Sequence, residues 1–219
     1  MIAEEIQNLL YDAVKIYDKY IGSDYLIIAR SNPKMPIDFF QIRMKEENYW
    51  HLIGCGISKK SKFANHQLYQ MCLDRKPIAE YLEYAKGGGI VISRQKYGVF
   101  TDVFDFVDKA KRIRICDTEN TPDRFNFAIA AGYDSGIIGY AREKDKSLCH
   151  PKTSQTKSIE SFNANKQARR IMAVLSKPCS NSLYSDVVFE YKKDVLKSII
   201  NEIDEGYRRK IDRALYSPM

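Results

Sequence analysis

The sequence predicts an α+β fold in a single domain, with helices in its first half and antiparallel strands in its second. Three observations carry this. Apolar residues recur at helical spacing over 3–20, 61–74 and 97–110; short β-rich runs divided by turns fill 112–191; and 194–215 repeats an apolar residue every four positions. With 219 residues, 44% hydrophobic and 29% charged, the chain can bury a sizeable core. No linker, repeat or low-complexity segment divides it, so residues 1–219 are expected to form one unit with its core at 5–190.

Taken in order, Ile6, Leu9, Leu10, Ala13, Val14 and Tyr17 form one helical stripe, which Gly22 stops. "DYLIIAR" and "DFFQIRM" are strand-like runs joined by the proline-bearing "SNPKMP", which predicts a hairpin. "EENYWHLIG" comes next and is punctuated by Gly54 and Gly56. Phe63, Leu68, Tyr69, Cys72 and Leu73 are spaced as a helix, and "IAEYLEYA" continues that period as far as the glycines at 87–89. Val99, Val103, Phe106, Val107 and Ala110 share one face of a helix over 97–110, against the weak helix propensity of its β-branched and aromatic residues. "RIRICD", "FNFAIAA", "GIIGYAR", "RRIMAVLSK" and "SDVVFEY" are strands. The closing run predicts a long amphipathic helix at 194–215, striped by Val195, Ile199, Ile203, Tyr207 and Ile211 and weakened by Gly206.

Composition narrows the function classes. Lys plus Arg number 35 against 28 Asp plus Glu, and a net charge of +7 favours polyanionic partners. The five cysteines are scattered and never form C-x-x-C, the pattern of reduced thiols in a cytosol. His51 with Cys55, and Cys149 with His150, only faintly imitate the paired ligands of a zinc site, so neither metal nor cofactor is expected. No run approaches the roughly 18 apolar residues of a membrane span, and the first ten residues are acidic and amphipathic rather than a signal peptide. A cytoplasmic protein with no membrane partner is the expectation. The glycines at 87–89 lack the G-K-[ST] ending of a phosphate loop, with Lys86 before them, and read as a turn. Serine-hydrolase and metalloprotease motifs are absent.

Two stretches bear chemistry. "NYWHLIGCG" sets His51 between Trp50 and Leu52; by itself this is first a core histidine, although an imidazole suits proton transfer near neutral pH. "CHPKTSQTKS" gathers His150, Lys152, Thr153, Ser154, Thr156, Lys157 and Ser158 with no carboxylate, which suits phosphate recognition. It equally suits a solvated loop whose Ser158 caps a helix beginning near Ile159. Lys96 in "SRQKYG" and Lys177 in "LSKP" are by themselves ordinary surface or strand-end charges.

The order of these segments resembles a known family. "EENYWHLIGCG", "FANHQLYQMCLD", "RQKYGVF", "FNFAIAAGYDSGIIGYARE", "HPKTSQTKSI" and "IMAVLSKP" leading to "YSDVVFEY" are similar to the phage-associated barnase–EndoU–colicin–RelE-like nucleases, in particular their fourth group. The resemblance implies N-terminal helices packed on one face of a curved four- to five-stranded antiparallel sheet. It implies a metal-independent ribonuclease of prophage or mobile-element origin, a toxin or an antiphage effector, in which the ribose 2′-OH attacks phosphorus. Carried over by motif, His51 is the general base or acid, Lys96 stabilises phosphorane charge, and Thr153 and Ser154 donate to non-bridging oxygens. Lys152, Lys157, Tyr140, Lys177 and Trp50 are expected to hold substrate, Trp50 by stacking on a base unless it packs in the core. RNA is the expected partner, with an antitoxin or inhibitor protein beside it. The rival reading is a nuclease-like module without turnover that binds RNA or a protein, with the 194–215 helix as its dimer or partner surface.

Overall fold

The first helix, α1 (Glu4–Asp18), buries Ile6, Leu10, Ala13, Val14 and Tyr17 and carries Glu4 and Glu5 in its first turn, where the helix dipole favours anions. This is a computed structural model, and it describes residues 4–84, 89–118, 127–143, 148–162 and 168–217. Gly22, at φ +84°, turns the chain into β1 (Ser23–Arg30), which pairs antiparallel with β2 (Asp38–Arg43) as the expected hairpin. A 3₁₀ turn (Glu46–Asn48) leads into α2 (Tyr49–Leu52), β3 (Cys55–Ile57) and α3 (Asn65–Leu73).

Two boundaries in this half differ from the periodicity. "IAEYLEYA" is not helical: a 3₁₀ turn (Ala79–Tyr81) runs into β4 (Leu82–Tyr84), which pairs with β3. Long-range bonds override the helical period there. Gln7 Oε1 accepts the N–H groups of Ile78 and Ala79 at 2.9 and 3.0 Å, and Ser58 Oγ donates to Glu83 Oε1 at 2.8 Å. The next helix, α4, spans Gly89–Val103 rather than 97–110. Lys109 ends it by donating to the carbonyls of Thr101 and Asp102 at 2.6 and 2.8 Å, a C-terminal cap supplied by a lysine. Lys96 therefore lies inside the helix, not ahead of it. Of the glycines read as a turn, Gly89 opens α4, while 87 and 88 lie outside the described residues, as does Lys86.

The sheet is larger than expected, and it is mixed. Strands β5 (Arg114–Asp117), β6 (Ile129–Tyr133), β7 (Gly136–Arg142), β8 (Cys149–Gln155), β9 (Arg169–Pro178) and β10 (Asp186–Glu190) join the hairpin in the order β1-β2-β8-β7-β6-β5-β9-β10. Eight strands replace the expected four or five, and β2 meets β8 in parallel through the single pair Ile42↔Cys149. Because β1 also pairs with β9, the sheet curls back on itself. The "CHPKTSQ" segment, open to a loop reading, is strand β8; its inward Cys149, Pro151 and Ser154 include a polar residue, which hides the alternation. Ser158 does act as a cap, accepting the Glu160 N–H at 3.2 Å, but the element it opens is the 3₁₀ turn Ile159–Phe162.

One face of the sheet packs against α1–α4 in the main core, while β1 and β9 on the opposite face carry a second cluster around Leu26, Ile28 and Leu175. The chain's end covers that second cluster, and the long 194–215 helix is not there. It is broken into α5 (Val195–Ile199), a 3₁₀ turn (Ile200–Glu202), α6 (Glu205–Arg208) and a last 3₁₀ turn (Arg213–Leu215). Asp204 and Asp212 are the cause. Each accepts a backbone N–H two residues on (Gly206 at 2.8 Å, Ala214 at 2.9 Å), which starts a new turn and interrupts the helix before it. Val195, Ile199, Ile203 and Ile211 are buried against the sheet, so the apolar stripe serves this chain's own core.

Candidate active site

Helix α2 is a single turn with three of its four residues held inward. Tyr49 OH donates to Leu10 O at 2.5 Å, Trp50 Nε1 donates to Asn65 Oδ1 at 2.8 Å, and Leu52 is fully buried. The fourth residue, His51, is thereby turned outward and is exposed. The tryptophan and leucine that make the sequence look like core are what expel the histidine from it.

Lys96 reaches the same turn from α4. Its Nζ donates to the His51 carbonyl at 2.9 Å and to Thr153 Oγ1 at 3.3 Å. The approach depends on Gly54, at φ +76°, where a Cβ would stand 3.1 Å from Lys96 Cδ and 3.2 Å from Ser93 Oγ. Ser93 is buried and donates to the Gly54 carbonyl at 3.3 Å, tying α4 to the end of the histidine turn. Ser93 has no motif around it that sequence reading could use; Gly54, in the H-L-x-G element, does.

Strand β8 supplies the third side. Thr153 takes the Lys96 ammonium on its oxygen, and among the described residues its own proton has only the Ser154 carbonyl, at 3.3 Å, in reach. Ser154 is 1% exposed and donates to Leu52 O at 2.5 Å. Its one hydroxyl proton is thus turned inward, onto the Leu52 carbonyl with the Lys96 carbonyl at 3.4 Å as the alternative, where the expectation had it donating to phosphate. Ser154→Ala should leave the Leu52 carbonyl unpaired and lower stability by about 1–3 kcal/mol, read in urea melts. Between Gly139↔Thr153 and Tyr140↔Pro151 the β7–β8 register slips, so Lys152 has no partner and bulges out, exposed. Bulges of this kind re-aim side chains.

The charges act on the histidine. Partial burial, then the Lys96 and Lys152 ammoniums, hold the His51 imidazole below its usual value. Burial also lowers Lys96, and it pushes the adjacent Cys55 thiol up to about 12, leaving it neutral. His150, half-buried on β8, is lowered by burial; Glu143 opposes this, and Lys45 and Lys152 add to it. His51, Lys96, Lys152 and Thr153 thus converge, and the arrangement offers an unprotonated imidazole beside two cations and a hydroxyl. Among the described residues no group of three or more His, Cys, Asp or Glu is placed to hold a metal ion.

A family model described as phage-Barnase-EndoU-ColicinE5/D-RelE like nuclease 4 matches residues 9–193. The chain belongs to this family. It is a nuclease-family domain, and all of the converging residues lie within the matched span, whereas α5 and everything after it lie beyond. No curated protein and no solved structure matches the chain.

Membership does not bring every expected substrate residue to the cluster. Trp50, 2% exposed and hydrogen-bonded to Asn65, is a core residue, not a stacking platform. Tyr140, 1% exposed, faces the main core. Lys177 is on β9, 3.4 Å from Asp24 and over the Tyr184 ring, and does not join the cluster. Lys157 is exposed just past the end of β8. No helix of the described residues is long and apolar enough to cross a membrane.

Proposed function

We propose that this nuclease is a metal-independent ribonuclease of prophage or mobile-element type, a toxin or an antiphage effector. His51 takes the proton of a ribose 2′-OH. The 2′-oxygen–phosphorus bond then forms and the phosphorus–5′-oxygen bond breaks, giving a 2′,3′-cyclic phosphate and a 5′-hydroxyl that takes its proton from solvent. The Lys96 ammonium and the Thr153 hydroxyl face the non-bridging oxygens as charge develops, with Lys152 holding the phosphate from the strand side. The observation that carries this is the bridge made by Lys96 between the His51 carbonyl and Thr153 Oγ1, which joins helix, turn and strand around one point. A general base must lie within hydrogen-bond reach of the reacting group, and this is the one cluster among the described residues that brings the motif residues together.

The test is cleavage of total RNA in excess chelator. Fragments that persist with chelator support the reading, and loss of all cleavage opposes it. The pH profile gives a second check. A base must be unprotonated, so kcat/KM rises with pH through the lowered His51 value and levels off at a lower pH than an unperturbed histidine would give. Lys152→Gln removes one of the cations that depress it, and the rising limb should move to higher pH. A limb that stays put would separate Lys152 from the histidine. As for the binding-module rival, the long terminal helix that favoured it is absent.

A further inference from the structure

Three arginines occupy one rung of the sheet. Arg30 of β1 lies opposite Arg170 of β9, and Arg170 lies opposite Arg114 of β5. Direct cross-strand partners share a face, and alternate residues along a strand share it too. Arg30 thus faces the same way as Ile28 of the second cluster, and Arg114 the same way as Cys116, which belongs to a third small cluster over β5–β7. The rung lies on the side away from α1–α4, between those two clusters. Adjacent strands are about 4.8 Å apart, so the three stems fall within about 10 Å.

This arrangement is costly as it stands. Like charges directly opposite one another destabilise a strand pair. Among the described residues one carboxylate answers three guanidiniums: Glu202 accepts from Arg30 Nη2 at 2.5 Å. Arg30 is only 9% exposed, yet its Nε is buried without a hydrogen bond, and so is Nη1 of Arg114. A buried unpaired donor costs about 1–3 kcal/mol, and two of them share this rung. The Arg170 guanidinium stacks at 4.8 Å on the Tyr191 ring, whose backbone N–H is fixed to Met172 O at 2.8 Å. Stacking orients the fork without using its N–H groups.

We propose that the Arg30–Arg170–Arg114 rung binds a phosphate group, at a site separate from the His51 cluster. A guanidinium fork matches phosphate oxygens, and phosphate offers enough acceptors for donors from three side chains while cancelling the surplus charge. The rung lies on the side of the sheet away from α1–α4, whereas α2 and α4 carry His51 and Lys96, so the rung is no part of the cleavage cluster. Two carriers share this chemistry: the backbone of the nucleic-acid substrate and a small phosphorylated molecule. Only the first rests on the proposed nuclease function.

The experiment compares the wild type with R114Q/R170Q, whose glutamines keep bulk and polarity. Inorganic phosphate at constant ionic strength should raise the wild-type melting temperature more than the variant's, which keeps only the His51 cluster as a phosphate site. Binding of a single-stranded RNA oligonucleotide, in a His51→Ala background, should weaken at least tenfold with R114Q/R170Q. The slope of log K against log salt should also flatten by about 0.7, the share of one lost phosphate contact on a single strand. Flattening identifies the backbone as carrier; a diminished phosphate response with unchanged RNA slope identifies a small phosphorylated ligand. Cleavage of a dinucleotide, too short to span both places, should be unchanged, which separates ligand loss from misfolding. The proposal is overturned if phosphate and RNA treat both proteins alike, leaving the rung to a carboxylate-bearing partner. The phosphate arm involves no cleavage, so its result stands whatever becomes of the nuclease mechanism.

Discussion

His51→Ala is expected to lower RNA cleavage by about 10²–10⁴-fold, the usual worth of a positioned acid–base group, while leaving the melting temperature within a degree or two. Both halves rest on how the turn is built. Tyr49, Trp50 and Leu52 hold it in place, and the histidine side chain is the exposed member. Truncating it removes no core contact. Single-turnover cleavage of a defined RNA, beside a thermal melt, reads the two effects separately. A core histidine would give the reverse pattern: a falling melting temperature with activity that tracks folded protein.

Lys96→Met should be nearly as damaging, at about 10²–10³-fold, the cost of removing one preorganised donor from developing negative charge. Methionine keeps most of the stem that packs beside Gly54 and Ser93, so the substitution isolates the ammonium. The loss should fall on kcat more than on KM, because a charge stabiliser acts chiefly in the transition state. Equal losses from uniform weakening of substrate binding would instead make Lys96 one more phosphate anchor. Lys96→Arg should not rescue, since the longer planar head does not fit between the His51 carbonyl and Thr153 at 2.9 and 3.3 Å.

Much of this site was legible because its residues lie in short motifs. The histidine turn, the lysine in "RQKYG" and the "PKTS" step could each be read, and in the fold they meet. What could not be read was the division of labour. Ser154 and Thr153 are adjacent hydroxyls with the same chemistry; only the fold sends one into the turn and leaves the other facing Lys96. Trp50 and Tyr140 have the chemistry of substrate contacts, and packing removed both from the surface.

The differences between the expected and the observed fold have physical causes as well. Strand β8 carries lysine, threonine, serine and a bulge at Lys152, which blurs the period-two pattern, and its polar Ser154 is the inward residue. A four-residue apolar repeat predicted one terminal helix, and the repeat is real. Two aspartates that restart the backbone after Ile203 and Ile211 let the same residues cover a curved sheet face in short turns. Local periodicity records which residues go inside; it does not record where a side-chain cap breaks the element.

The most direct test of the central claim is the chemistry of the cut ends. Incubating the wild-type protein with an RNA oligonucleotide in excess chelator and analysing the fragments by mass spectrometry should give 2′,3′-cyclic phosphate and 5′-hydroxyl ends. A single 2′-deoxy substitution at the cleaved nucleotide should abolish the cut, and His51→Ala should yield no fragments. Fragments bearing 5′-phosphate, or cleavage that survives the missing 2′-hydroxyl, would contradict it.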